Sequence, residues 1–207
     1  MKVTQDEKLN VSVTTRAAED NVLWILNNLR SHPYHGLLGK VTYLPINNSN
    51  GKEWRSEVEK TSFALLYHTH NDGRLNITDV TDSLYNTELQ YLSDQLGRQN
   101  VIVVIDDLKN SDDEVKDLIL QSQPSISRWA KELLLFSDKE KDPMAVAKQQ
   151  ILLDAFRSAY RERKSTWTPK VLLIVTFATI TVATIFLWRR FTKRSLKFRL
   201  WNFISKE

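Results

Sequence analysis

Apolar and polar positions along the chain alternate between two periods, and the period tells strands from helices. A helix is expected from Thr15 as its cap, with Val22, Ile25, Leu26 and Leu29 on one face and a stop at HPYHG, where Pro33 and Gly36 break the pattern. VTYLPI (41–46) reads as a first strand, followed after the loop NNSNG by a short amphipathic stretch, Lys52–Lys60. SFALLYH (62–68) is a continuous apolar run, the mark of a strand buried on both faces. The spacing of Leu84, Leu89, Leu92 and Leu96 predicts a helix over 82–97, ended by Gly97. VIVVIDD (101–107) is the clearest strand, and a helix is expected over 112–120, interrupted at Pro124. SISRWAKE reads as a further short helix leading into a weaker strand, LLLFS (133–137). Pro143 then opens a long helix with Val146, Ile151, Leu152, Ala155 and Tyr160 facing inward.

Strands alternating with helices predict an α/β fold: a small, about four-stranded parallel sheet sandwiched by helices in a flavodoxin-like layout, plus one C-terminal transmembrane helix. The expected boundaries are a flexible N-terminus (1–14), an α/β domain (15–164), a juxtamembrane linker (165–170), a transmembrane helix (171–188) and a basic amphipathic tail (189–207). The outline is similar to flavodoxin-like, receiver-like and TIR-like signalling domains, without a residue-by-residue match to any of them.

The most apolar run carries the strongest statement. Val171 to Trp188 is charge-free, of a length that spans a bilayer, and bracketed by Lys170, Arg189 and Arg190, with Trp167 and Trp188 at interfacial positions. The short segment after it implies insertion after translation, so the chain resembles tail-anchored proteins with the preceding domain in the cytosol. Its basic flanks, including Arg189, Arg190, Lys193 and Arg194 as targeting residues, and its diluting threonines resemble anchors of the mitochondrial outer membrane; the endoplasmic reticulum is the alternative. Thr176, Thr179 and Ala183 form a small-residue face through which the helix could associate with a second copy. A third topology, with the domain outside, would open Asn10, Asn47 and Asn76 to glycosylation, since each heads a sequon.

Charge sharpens this picture. The chain is formally +4, yet residues 169–207 hold eight Lys+Arg against one Asp+Glu, while residues 1–168 hold 21 against 24. The domain is thus mildly acidic, which argues against nucleic acid as its partner; the expected partners are a lipid bilayer and proteins of unknown identity. With no cysteine, the chain has neither disulfides nor thiolate chemistry. No cofactor or metal is expected.

Candidate chemistry gathers where strands leave the core, because ligands of such folds bind there. Asn47 and Asn48, then His68, His70 and Asp72, then Asp106 and Asp107 occupy those ends. HTHNDG resembles the start of the H-x-H-x-D-H motif of the metallo-β-lactamase fold through His68, His70 and Asp72, but Gly73 stands at the last position and no histidine follows. His32 and His35 are expected at the opposite edge of the sheet. VIVVIDDL is similar to the acidic strand end of nucleotide hydrolases, whereas GLLGKV (36–41) lacks the spacing of a phosphate loop. The leading expectation is therefore a non-enzymatic signalling adaptor or regulator at an organelle surface, in pathways such as cell death or innate immunity. The rival is a membrane-anchored hydrolase or nucleotide-binding enzyme using Asp106, Asp107 and His68 or His70.

Overall fold

The structure, a computed structural model, describes residues 8–165. Five strands form one sheet: β1 (Leu9–Thr15), β2 (Leu38–Pro45), β3 (Phe63–Thr69), β4 (Val101–Asp106) and β5 (Glu132–Leu135). Their order is β2-β1-β3-β4-β5 and every pairing is parallel. This is the order of doubly wound flavodoxin-like sheets. The helices are α1 (Glu19–Arg30), α2 (Gly51–Val58), α3 (Asn86–Leu96), α4 (Asp113–Ser122), α5 (Pro124–Trp129) and α6, over 146–165. The sheet belongs to a compact unit that ends at Arg161; the rest of the chain forms a second unit.

The sheet has one strand more than expected. Residues 9–14, read as part of a flexible N-terminus, form most of β1, which pairs with β2 on one side and β3 on the other. LNVSVTT alternates apolar and polar residues, the pattern of a strand with one wet face, yet Ser12 and Thr14 are as buried as Val11 and Val13. Their polar atoms are small, and Thr14 Oγ1 accepts a hydrogen bond from the Trp54 indole at 2.7 Å. Thr15, expected as a helix cap, ends β1, and its hydroxyl oxygen accepts from the Ala17 amide at 3.0 Å.

Two cores lie on the two faces of the sheet. On one, Val22, Ile25, Leu26 and Leu29 of α1 and Leu152, Phe156 and Ala159 of α6 cover Val11, Val13, Phe63, Leu65 and Ile102. On the other, Trp54 and Val58 of α2, Leu89 and Leu92 of α3, Ile119 of α4 and Ile126 of α5 cover Ala64, Leu66, Val101 and Val103. Strands β3 and β4 are buried along their whole length because helices close both of their faces.

The inward stripe of α6 differs from the expected one. Val146 and Ile151 are exposed, while Leu152, Leu153, Ala155, Phe156 and Ala159 are buried. Phe156 sets the rotation: its ring packs edge-on against Phe63 at 4.9 Å and Tyr34 at 5.6 Å. Helix α3 begins at Asn86 rather than Asp82, since the loop before it is held by Gln123. The buried amide oxygen of Gln123 accepts from the amides of Ile77 and Thr78 (2.9 and 2.8 Å), and its nitrogen donates to the Leu75 carbonyl at 2.7 Å. No helix among the described residues is long and apolar enough to cross a membrane. The run 171–188, with Thr176, Thr179 and Ala183, and the basic residues 189–194 lie outside the described residues.

Candidate functional site

Strand β4 delivers Asp106 and Asp107 to the carboxyl edge of the sheet, but its pleat sends them into different company. Asp106 points to the α1/α6 face and is fully buried. Its Oδ2 accepts from the Trp24 indole at 3.0 Å, from Lys141 Nζ at 3.4 Å and from the Tyr67 hydroxyl. Its Oδ1 has no hydrogen-bond partner among the described residues. Burial raises the Asp106 pKa above the usual carboxylate range and the neighbouring Asp107 charge adds to this, against the hydrogen bond from Tyr67 and the charge of Lys141.

Asp107 adopts a left-handed backbone conformation (φ 57°), which turns the chain out of the strand. The Thr69 hydroxyl donates to its Oδ2 at 2.5 Å, and Lys141 pairs with its Oδ1. Burial would raise its pKa, but the hydrogen bonds from Lys141 and Thr69 outweigh that and hold it low. Lys141 also meets Asp138 at 2.9 Å. One ammonium group therefore closes on three carboxylates, and the Trp24 and Tyr67 side chains complete the enclosure. The arrangement offsets part of the carboxylate charge and ties β4 to the segment after β5; both Asp106 and Asp107 already hold internal partners.

The histidines do not join this cluster. In the β3–β4 register His68 lies opposite Ile105 and Thr69 opposite Asp106, so His68 faces the second core. There it is buried, its ring edge-on to Tyr85 at 5.9 Å. His70 is exposed in the short turn His70–Asp72, which Thr69 caps by accepting from the Asn71 amide at 3.3 Å. His32 and His35 precede β2, at the amino edge of the sheet. No group of three or more metal-ligating side chains occurs among the described residues. Asn47 shapes its own turn, its Oδ1 accepting from the amides of Ser49 and Asn50, both at 2.9 Å. Asn48 accepts from Arg16 at 3.2 Å.

Four contributors were not singled out from the sequence: Lys141, Tyr67, Trp24 and Arg16. Lys141 sits in the mixed run DKEKD, which reads as a solvated loop; its position just past the last strand was the one available signal. Arg16 joins the end of β1 to the start of α3 through Glu88 at 2.8 Å and the Leu84 carbonyl at 3.0 Å. Beside it, Ile46, Asn50, Trp54, Arg55 and Tyr91 line a shallow depression between α2 and α3.

A second charged lock sits in the same region. Glu140 accepts from Ser137 N and Oγ, both at 2.8 Å, from Ser111 Oγ at 2.5 Å and from Lys148 at 2.5 Å. Burial opposes ionisation, but these donors win and bring its pKa down to about 2. A depressed carboxylate contributes stability above its unfolded pKa of 4.5 and loses it as pH falls toward 2. Acid titration of the folded chain followed by circular dichroism should therefore show Glu140→Gln less stable than the parent at pH 6, with the gap narrowing below pH ~4.5. The chain matches no known protein-family profile and no curated protein sequence.

Proposed function

We propose that this chain is a single-pass membrane protein whose α/β domain is a non-enzymatic interaction module, displayed on the cytosolic face of an organelle membrane as a signalling adaptor or regulator. The observation that carries the reading is the charge-free run Val171–Trp188 with basic residues on both sides. Basic flanks favour the mitochondrial outer membrane, and Thr176, Thr179 and Ala183 offer a surface for self-association within the bilayer. Anchoring confines the module to a thin shell, so weak domain contacts gain effective concentration.

The disposition of the strand-end residues supports an interaction role over the hydrolase rival. That rival needs His68 or His70 beside Asp106 and Asp107, yet His68 and Asp106 project from opposite faces of the sheet. Asp106 and Asp107 are engaged with Lys141.

Localisation of the full chain beside a truncation ending at Thr168, with protease protection, tests the proposal. The full chain should resist alkaline carbonate extraction and leave its domain open to added protease, while the truncation should be released to the soluble fraction. A truncation that stays membrane-bound would overturn it. Glycosylation is a second check. Of the three sequons, Asn47-Asn48-Ser49 is exposed, whereas Ser12 and Thr78, the hydroxyl members of the other two, are buried. The cytosolic orientation predicts no sugar-dependent mobility shift, and a shift lost with Asn47→Gln would place the domain on the other side.

A further inference from the structure

A parallel sheet gives the domain two unlike ends. Helices that cross between parallel strands run back against them, so helix N-termini collect at the carboxyl edge and C-termini at the amino edge. Each helix end tends to carry the charge its dipole favours. Glu19 and Asp20, Glu53, Glu88, and Asp113 and Glu114 occupy first turns, with Lys52 as the exception, while Arg30, Arg55 and Arg128 occupy last turns, against Glu57 and Asp94.

The connections add to this polarity. Those leaving the strands (16–18, 46–50, 70–85, 107–112 and 136–145) hold five Lys+Arg against eight Asp+Glu. Those entering the strands (8, 31–37, 59–62, 97–100 and 130–131) hold four Lys+Arg against one Glu. A domain that is acidic as a whole thus has a basic face at the amino edge.

That face is also where the chain leaves the domain. Helix α6 starts beside the carboxyl edge, with Lys148 Nζ 5.0 Å from the Phe136 ring centroid. It reaches the amino edge at Phe156, against Phe63, the first residue of β3. Arg161 lies more than a turn further on. From there to Val171 the chain spans at most ~35 Å when fully extended. On the membrane-anchored reading, this length is the upper bound on the distance between Arg161 and the start of the span.

We infer that the amino edge of the sheet, through Lys40, Lys60, Arg98, Lys131 and Arg161, docks on an anionic lipid surface. All but Lys131 are exposed, and Lys131 is half-buried. Lys60 shares its charge with Glu57 at 2.6 Å, and Arg98 Nε donates to the Ser127 carbonyl at 3.0 Å. Lipid phosphates and carboxylates are attracted by such clusters within a Debye length. Docking turns the acidic carboxyl edge outward as the face presented to protein partners. The inference rests on the membrane-anchored reading above.

The absence of native cysteine allows a single reporter in the full chain. A fluorophore on Gln99→Cys, in the turn Arg98–Asn100, reports the amino edge, and one on Lys109→Cys reports the carboxyl edge. Each labelled chain is reconstituted into vesicles carrying brominated acyl chains, either phosphatidylcholine alone or with about 30 mol% phosphatidylserine. The position-99 probe should be quenched at least twofold more in the anionic vesicles, and the position-109 probe equally in both. The difference should vanish at ~0.5 M NaCl, where screening shortens to a few ångström. It should also vanish in Lys60→Glu/Arg98→Glu/Lys131→Glu, which stays carbonate-resistant. Equal quenching of the position-99 probe in both lipids, with the chain still carbonate-resistant, would overturn the docking and leave the anchor standing. Extraction of the unmodified chain by carbonate would instead overturn the anchor and the docking together.

Discussion

Removal of residues 1–14 is expected to abolish cooperative folding of the domain. Strand β1 sits inside the sheet, and its loss strips one side of both β2 and β3. Leu9, Val11 and Val13 are each about 1% exposed or less. At about 1.5–3 kcal/mol for each buried aliphatic side chain, these three alone approach the 5–15 kcal/mol that stabilises an ordinary domain. Ladder hydrogen bonds and the Thr14–Trp54 bond go with them. Urea or thermal unfolding of the truncated chain, followed by circular dichroism, should show no sigmoidal transition. A truncated chain that melts cooperatively near the parent midpoint would refute the internal position of β1.

Lys141→Met carries the next largest effect, a loss of about 3–5 kcal/mol, the usual consequence of stripping the partner from a buried charge. Among the described residues the ammonium group is the one cation paired with Asp106 and Asp107, and Asp106 is buried from solvent. The pH dependence has a definite sign. Burial already raises the Asp106 pKa, and without Lys141 it loses a charge that opposes this, so the folded state binds that proton more tightly and the variant recovers stability as pH falls. Adding Asp106→Asn and Asp107→Asn to Lys141→Met should restore a substantial part of the loss at pH 7. A deficit under ~1 kcal/mol for Lys141→Met would mean that the cluster behaves as a solvent-screened surface pair. Either outcome is read from chemical unfolding at two pH values.

The contrast between β1 and β4 explains how much of the fold was legible. VIVVID is apolar at every position but the last, a pattern with one common structural meaning. LNVSVTT is buried at every position but Asn10 despite a half-polar sequence, and nothing local reveals that α2 and its Trp54 will cover the polar side. The same holds for α6. Its helical character follows from composition, but the face it buries follows from Phe156 meeting Phe63 and Tyr34, residues far away along the chain.

The polar residues at the strand ends were visible in the sequence; which of them meet one another was not. His68 and Asp106 are close to matching positions on neighbouring strands, so a sequence reading pools them. A one-residue offset in a period-two structure assigns them to opposite faces. Lys141, the residue that decides what Asp106 and Asp107 can do, lies more than thirty positions away in a charged run.

By itself, the amino-acid sequence determined the class of fold, the separation of an acidic domain from a basic end, and the length and apolarity of the run 171–188. These depend on period, composition and local charge, which need no partner from elsewhere in the chain. Only the tertiary structure decided which strand completes the sheet, which face each strand-end side chain enters, and which end of the domain is basic. Those properties arise from contacts across tens of residues, where burial energy and charge pairing override what each segment prefers alone.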